Sequence, residues 1–140
     1  MLIEVSNGEI IDKLTILEIK LFKIEDPIKR VNLKAEYEVL LEAYYKILSE
    51  HQGLKTDIVD IHDERLGTDI VDLHDELYEI NANLWEIEDA CRAHEAEGDF
   101  GESFIQIARS VYLTNDERAT IKKEINKLTN SRLTEEKSYQ

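Results

Sequence analysis

From Ile70 to Cys91 the apolar residues Ile70, Leu73, Leu77, Ile80, Leu84, Ile87 and Cys91 alternate at spacings of three and four without a break. A strand repeats every two residues, so this spacing commits the segment to a helix with one continuous buried edge. Held over three heptads, the pattern is that of a bundle or coiled coil. The rest of the chain agrees, because five glycines and one proline in 140 residues leave little for a turn-rich sandwich or a collagen-like repeat. At this length a single core is the usual outcome. Residues 1–130 are therefore expected to form one all-α domain, a mostly antiparallel bundle of four to six helices, with 131–140 as a polar C-terminal tail.

Start and stop signals divide the chain further. Ser6 and Glu9 have the spacing of a capping box, and Ile10, Leu14, Leu17, Leu21 and Ile24 carry the stripe of a first helix that ends before Pro27. Asp26-Pro27 reads as an N-cap with proline at the first helical position, where a missing N–H costs nothing. The second helix runs to about Glu50 with Leu33, Tyr37, Leu40, Tyr44 and Ile47 inward and Gly53 as its terminator. A short extended piece is expected at Leu2 to Val5. Residues 56–64 (TDIVDIHDE) and 68–76 (TDIVDLHDE) form a tandem repeat of period 12 within 56–79. Twelve residues turn a helical face by about 120°, so the two copies cannot serve one core from a straight helix. Each Thr-Asp pair is read as capping its own helix, the second opening a long helix from Thr68 to Glu95; one uninterrupted helix is the alternative. Glu97-Gly98-Asp99 is a turn. A fourth helix follows from Ser103, and Thr114 with Glu117 repeats the capping-box spacing, which places a new helix or a kink there.

Val71, Tyr78 and Trp85 form a second apolar stripe on the long helix, which marks it as the central helix with neighbours on both sides. Between the stripes lie His74, Asn81 and Glu88, polar groups that need partners if they are desolvated. Glu18 sits in a similar position on the first helix, and Arg109, beside Ile105 and Tyr112, is a bidentate cation within reach of such carboxylates. Glu18, Asn81, Glu88 and Arg109 are accordingly the candidate polar cluster, fixing helix register or recognising a small polar ligand.

Charge bounds the partners. Residues 1–55 carry 10 acids and 8 bases, residues 56–102 carry 16 and 2, and residues 103–140 carry 5 and 7, for a net charge of −14. That sign opposes a nucleic-acid backbone and an anionic membrane. No apolar run approaches the roughly 20 residues that span a bilayer, and Met1-Leu2-Ile3-Glu4 has none of the regions of a signal peptide, so a cytoplasmic protein is expected. The basic C-terminal stretch is expected to lie beside the acidic middle. Lone Cys91 falls on the apolar stripe and reads as a small core side chain.

Three blocks, GEIIDKLTILEIK (Gly8 to Lys20), LWEIEDACR (Leu84 to Arg92) and FIQIARSVYLTNDERATIKKEIN (Phe104 to Asn126), with SRLTEEKSY near the end, resemble the DUF6165 family. The resemblance implies a small helical protein of bacterial or phage type and supplies no activity to carry over; the 12-residue repeat reads as an insertion in the family pattern.

Two functional expectations follow. The first is a non-enzymatic interaction or assembly module that self-associates, most simply as a two-fold dimer, with another protein or a small polar ligand as further partners. Exposed aromatic surface on the second helix, Tyr45 beside Tyr44, points the same way. The alternative is a metal-dependent hydrolase of nucleotides or phosphate esters. Asp75, Glu76, Glu79, Glu86 and Asp89 resemble the acidic motifs of all-helical pyrophosphohydrolases in letters, but all five share one helix and read as a solvated face. His62-Asp63 and His74-Asp75 resemble HD-type phosphohydrolases without the further ligands those need. No catalytic residue, metal ligand or cofactor is assigned.

Overall fold

The computed structural model describes residues 1–55, 68–133 and 136. The described residues form four helices: α1 (Asn7–Lys23), α2 (Pro27–Glu50), α3 (Ile70–Glu97) and α4 (Glu102–Leu128). No strand occurs among the described residues, and Leu2 to Val5 is exposed coil without regular structure. The first copy of the repeat, with His62 and Gly67, lies outside the described residues, as do residues 134, 135 and 137–140. No helix among the described residues is long and apolar enough to cross a membrane.

The caps follow the sequence closely. Ser6 accepts from the Glu9 N–H, and Asp26 accepts from the N–H groups of Ile28 and Lys29. Asp69 accepts from the Asp72 N–H while Asp72 reaches back to the Asp69 N–H, a reciprocal box that starts α3 at Ile70. The backbone at Asp69 is extended, so α3 does not run back into the first copy of the repeat. Gly98 ends α3 at φ 67°, a left-handed conformation that glycine adopts without steric penalty. At the other hairpin Arg30 donates to the Leu21 and Ile24 carbonyls, satisfying the C-terminal end of α1.

α1 runs antiparallel to α2 and to α4, and α3 runs antiparallel to α4. Lys13 meets Glu36 and Arg30 meets Leu21 across α1 and α2; Gly8 meets Asn126 and Asp12 meets Arg118 across α1 and α4; His94 packs on Phe104 across α3 and α4. Ile11, Leu14, Tyr44, Ile47, Ile70, Leu73, Leu77, Ile121 and Ile125 form the core, drawn from all four helices.

Two expectations change. The helix with neighbours on every side is α1, which packs on α2, α3 and α4, whereas α3 packs on α1 and α4. The reason is the width of the buried arc. Leu17, Leu14, Ile11, Thr15, Ile19 and Asp12 cover about 220° of the α1 wheel, while Leu73, Leu77, Ile70, Leu84 and Asn81 cover about 80° of α3. The second stripe of α3 is only partly covered: Val71 is exposed, and Trp85 is half-buried with the Lys23 ammonium 5.8 Å from its ring centroid. Nor does a helix start at Thr114, because α4 passes through it unbroken. Thr114 is buried and in register with Val111, Arg118 and Ile121, so it takes one place in a continuous inward face.

Gly8 sets the approach of α1 to α4. A Cβ there would lie 2.5 Å from the Lys122 carbonyl oxygen and 2.9 Å from the Asn126 side-chain oxygen. That oxygen accepts from the Gly8 N–H at 2.6 Å, Asn7 donates to Thr129 Oγ1, and Lys122 meets Glu9 at 2.7 Å. Of the orphan donors in the first turn of α1, the Gly8 N–H is taken up by Asn126 of α4, the Asn7 N–H by Ser131 and the Glu9 N–H by Ser6.

Candidate functional site

A polar seam runs through the interior along α1, where Asp12, Thr15 and Glu18 follow one another at intervals of three. Asp12 is fully buried. Arg118 of α4 grips its carboxylate with two parallel bonds, from Nε to Oδ1 at 2.8 Å and from Nη2 to Oδ2. Asn81 of α3 donates at 2.9 Å to the same Oδ1 and at 2.9 Å to Thr15 Oγ1, and Thr15 donates to the Asp12 carbonyl at 2.6 Å. A charge removed from water costs several kcal/mol unless it is paired and hydrogen-bonded, and here one guanidinium and one amide do both. Three helices are locked in one register by this cluster.

Further along α1, His74 lies between two carboxylates, with Nε2 2.7 Å from Glu18 and Nδ1 2.9 Å from Asp75. Its ring stacks on Tyr44 of α2 at 5.3 Å. The hydrogen bond to Glu18 holds its pKa above the usual histidine value against the opposing effect of burial, and Asp75 adds to the rise. As the imidazolium it donates to both acids, tying α1 to α3. Burial pushes Tyr44 up to about 12, reinforced by the charges of Asp75 and Glu18, so its phenol stays neutral.

The four candidate residues are divided. Glu18 belongs to the His74 group and Asn81 to the Asp12 group. Glu88 is exposed and lies 4.0 Å from Arg92, one turn along its own helix. It shares the inward bearing of Asn81, but α1 has 17 residues against 28 for α3 and has ended before that level. Arg109 is exposed on the outer side of α4 with Ile105 and Tyr112, themselves half exposed. Arg118, nine residues on and in line with the buried face, is the guanidinium that enters the seam. Asp12 was within reach of sequence reasoning: on the α1 wheel it falls between Ile19 and Ile16, the same test that singled out Glu18.

Acids of two helices do line one groove. Glu76 and Glu79 of α3 and Glu117 of α4 border a space of about 450 Å³ together with Ile80, Thr120 and Ile121. Among the described residues no three His, Cys, Asp or Glu are grouped so that they could hold a metal ion. Of the acidic row on α3, Asp75 faces His74, Glu86 meets Lys23 at 2.8 Å and Asp89 meets Arg92 at 3.4 Å.

No curated protein and no solved structure matches the chain. One family model does, and it takes in residues 1–140, so the whole seam from Asp12 to Arg118 falls inside the match. The chain belongs to DUF6165, a family of unknown function.

Proposed function

We propose that this chain is a non-enzymatic helical interaction module whose task is to hold another polypeptide through its outer surface. The observation that carries this reading is the second apolar face of α2. Ile28, Val31 and Val39 are all more than two-thirds exposed on that face, while Leu33, Tyr37, Leu40, Tyr44 and Ile47 turn toward the core. A surface helix needs one apolar stripe to pack and has no structural use for a second. Apolar rows rimmed by charge are typical of protein contacts. The interior seam supports the same reading from the other side, since its polar groups spend their hydrogen bonds on one another and so favour a structural task over ligand recognition. We place the module in the cytoplasm, where a lone Cys91 stays a thiol.

Thermal unfolding in the presence of magnesium, manganese and a panel of nucleotides tests the proposal. The expected result is no shift. A ligand at a hundredfold excess over its dissociation constant adds roughly 2.7 kcal/mol. A rise in midpoint of that size with metal and nucleotide together would overturn the proposal in favour of the hydrolase, with the groove at Glu76, Glu79 and Glu117 the first place to substitute.

A further inference from the structure

We infer that the outer stripe of α2 pairs with the same stripe on a second copy of this chain, antiparallel and centred on Ala35; this rests on the interaction-module reading and names its partner. Ile28, Val31, Ala35 and Val39 fall within about 80° of the helical wheel, opposite the face that α2 buries. A two-fold contact is self-complementary, so each pair occurs twice. Centring on Ala35 sets Val31 against the partner's Val39 and Val39 against the partner's Val31. The small methyl of Ala35 at the crossing point lets the two backbones approach, and Ile28 lies along the aliphatic stem of the partner's Glu42.

Charge selects the second copy and its direction. The first half of α2 carries Lys29 and Lys34, with Arg30 turned to the α1 carbonyls, and the second half carries Glu36, Glu38, Glu42 and Glu50 with Lys46. Two parallel helices would set like against like. Two antiparallel helices set the basic half of each against the acidic half of the other. Glu36 is engaged by Lys13 at 3.1 Å within the chain. Lys34 and Glu38 share one flank of the stripe, and a two-fold axis normal to the plane of the two helices brings each flank against itself. Lys34 therefore faces the partner's Glu38, and Glu38 faces the partner's Lys34. A partner of unrelated sequence has no reason to carry this reversed pattern, whereas a second copy carries it by necessity.

Sedimentation equilibrium of the full chain and its variants tests the inference. The wild-type protein is expected to be a dimer. Val31→Lys with Val39→Lys is expected to give a monomer with unchanged helical content, because both residues are solvent-facing in the single chain, and its melting temperature should no longer depend on protein concentration as that of the dimer does. Lys34→Glu alone and Glu38→Lys alone should each weaken the dimer roughly tenfold, and the combined exchange should restore it. A monomeric wild-type chain, or a dimer indifferent to the valine substitutions, would overturn the second-copy inference. Neither result touches the broader reading, which fails on the metal and nucleotide shift instead.

Discussion

Asp12 and His74 do different work on the same seam. Asp12 is a buried anion held by Arg118, and breaking a buried pair by removing one partner costs about 3–5 kcal/mol. Solvent reaches Arg118, whose side chain is 27% exposed, which brings the expected loss for Asp12→Asn to about 2–3 kcal/mol in urea unfolding. Glu88→Gln and Arg109→Gln should change the same midpoint by less than about 0.5 kcal/mol, since both side chains are in solvent. His74 is tested by pH. Its folded pKa is raised, so its contribution is complete below the unfolded value of about 6.5 and is lost as pH climbs through the higher native value. The melting temperature of the wild type should fall as pH rises from about 6.5 through the raised native value, and His74→Gln should flatten that slope. At this scale the sequence was half legible. Glu18 and Asn81 stood out because polar letters interrupted apolar rows, and Arg109 misled because Ile105 and Tyr112 beside it look inward on paper but are apolar residues in water.

Among the described helices, α1 governs the assembly because it is the shortest and the most enclosed. Its approach to α4 depends on a missing side chain. Gly8→Ala puts a methyl group 2.5 Å from a backbone oxygen that cannot swing aside, and overpacking of this kind costs about 1–3 kcal/mol, measurable as a lower urea midpoint. At the start of α3, Asp69→Ala removes the half of the capping box in which its carboxylate accepts from the Asp72 N–H, for about 1 kcal/mol. The caps at Ser6, Asp26 and Asp69 could be read from the chain because capping is local chemistry. Which helix sits in the middle could not, because that depends on how wide an arc each one buries against neighbours distant in sequence. Thr114 failed for a related reason: the cap spacing carries meaning only where the preceding residues are not already helical.

Across the whole molecule the charge of −14 is managed by long-range ties. The basic C-terminal third does lie beside the acidic middle, since α4 packs along α3, and in addition Arg118, Lys122 and Arg132 reach Asp12, Glu9 and Glu4 in the first dozen residues. α3 carries nine acids against one arginine, so self-repulsion should dominate the salt response. Raising ionic strength from about 0.01 M to 0.5 M, which shortens the screening length from about 30 Å to under 10 Å, is expected to raise the melting temperature of the Val31→Lys, Val39→Lys chain. The meeting of Glu4 with Arg132 has a practical corollary. Donor and acceptor dyes attached at residues 5 and 133 would glow as a coupled pair in the native fold and fall silent when α1 peels from α4, giving a single-molecule gauge of that one event.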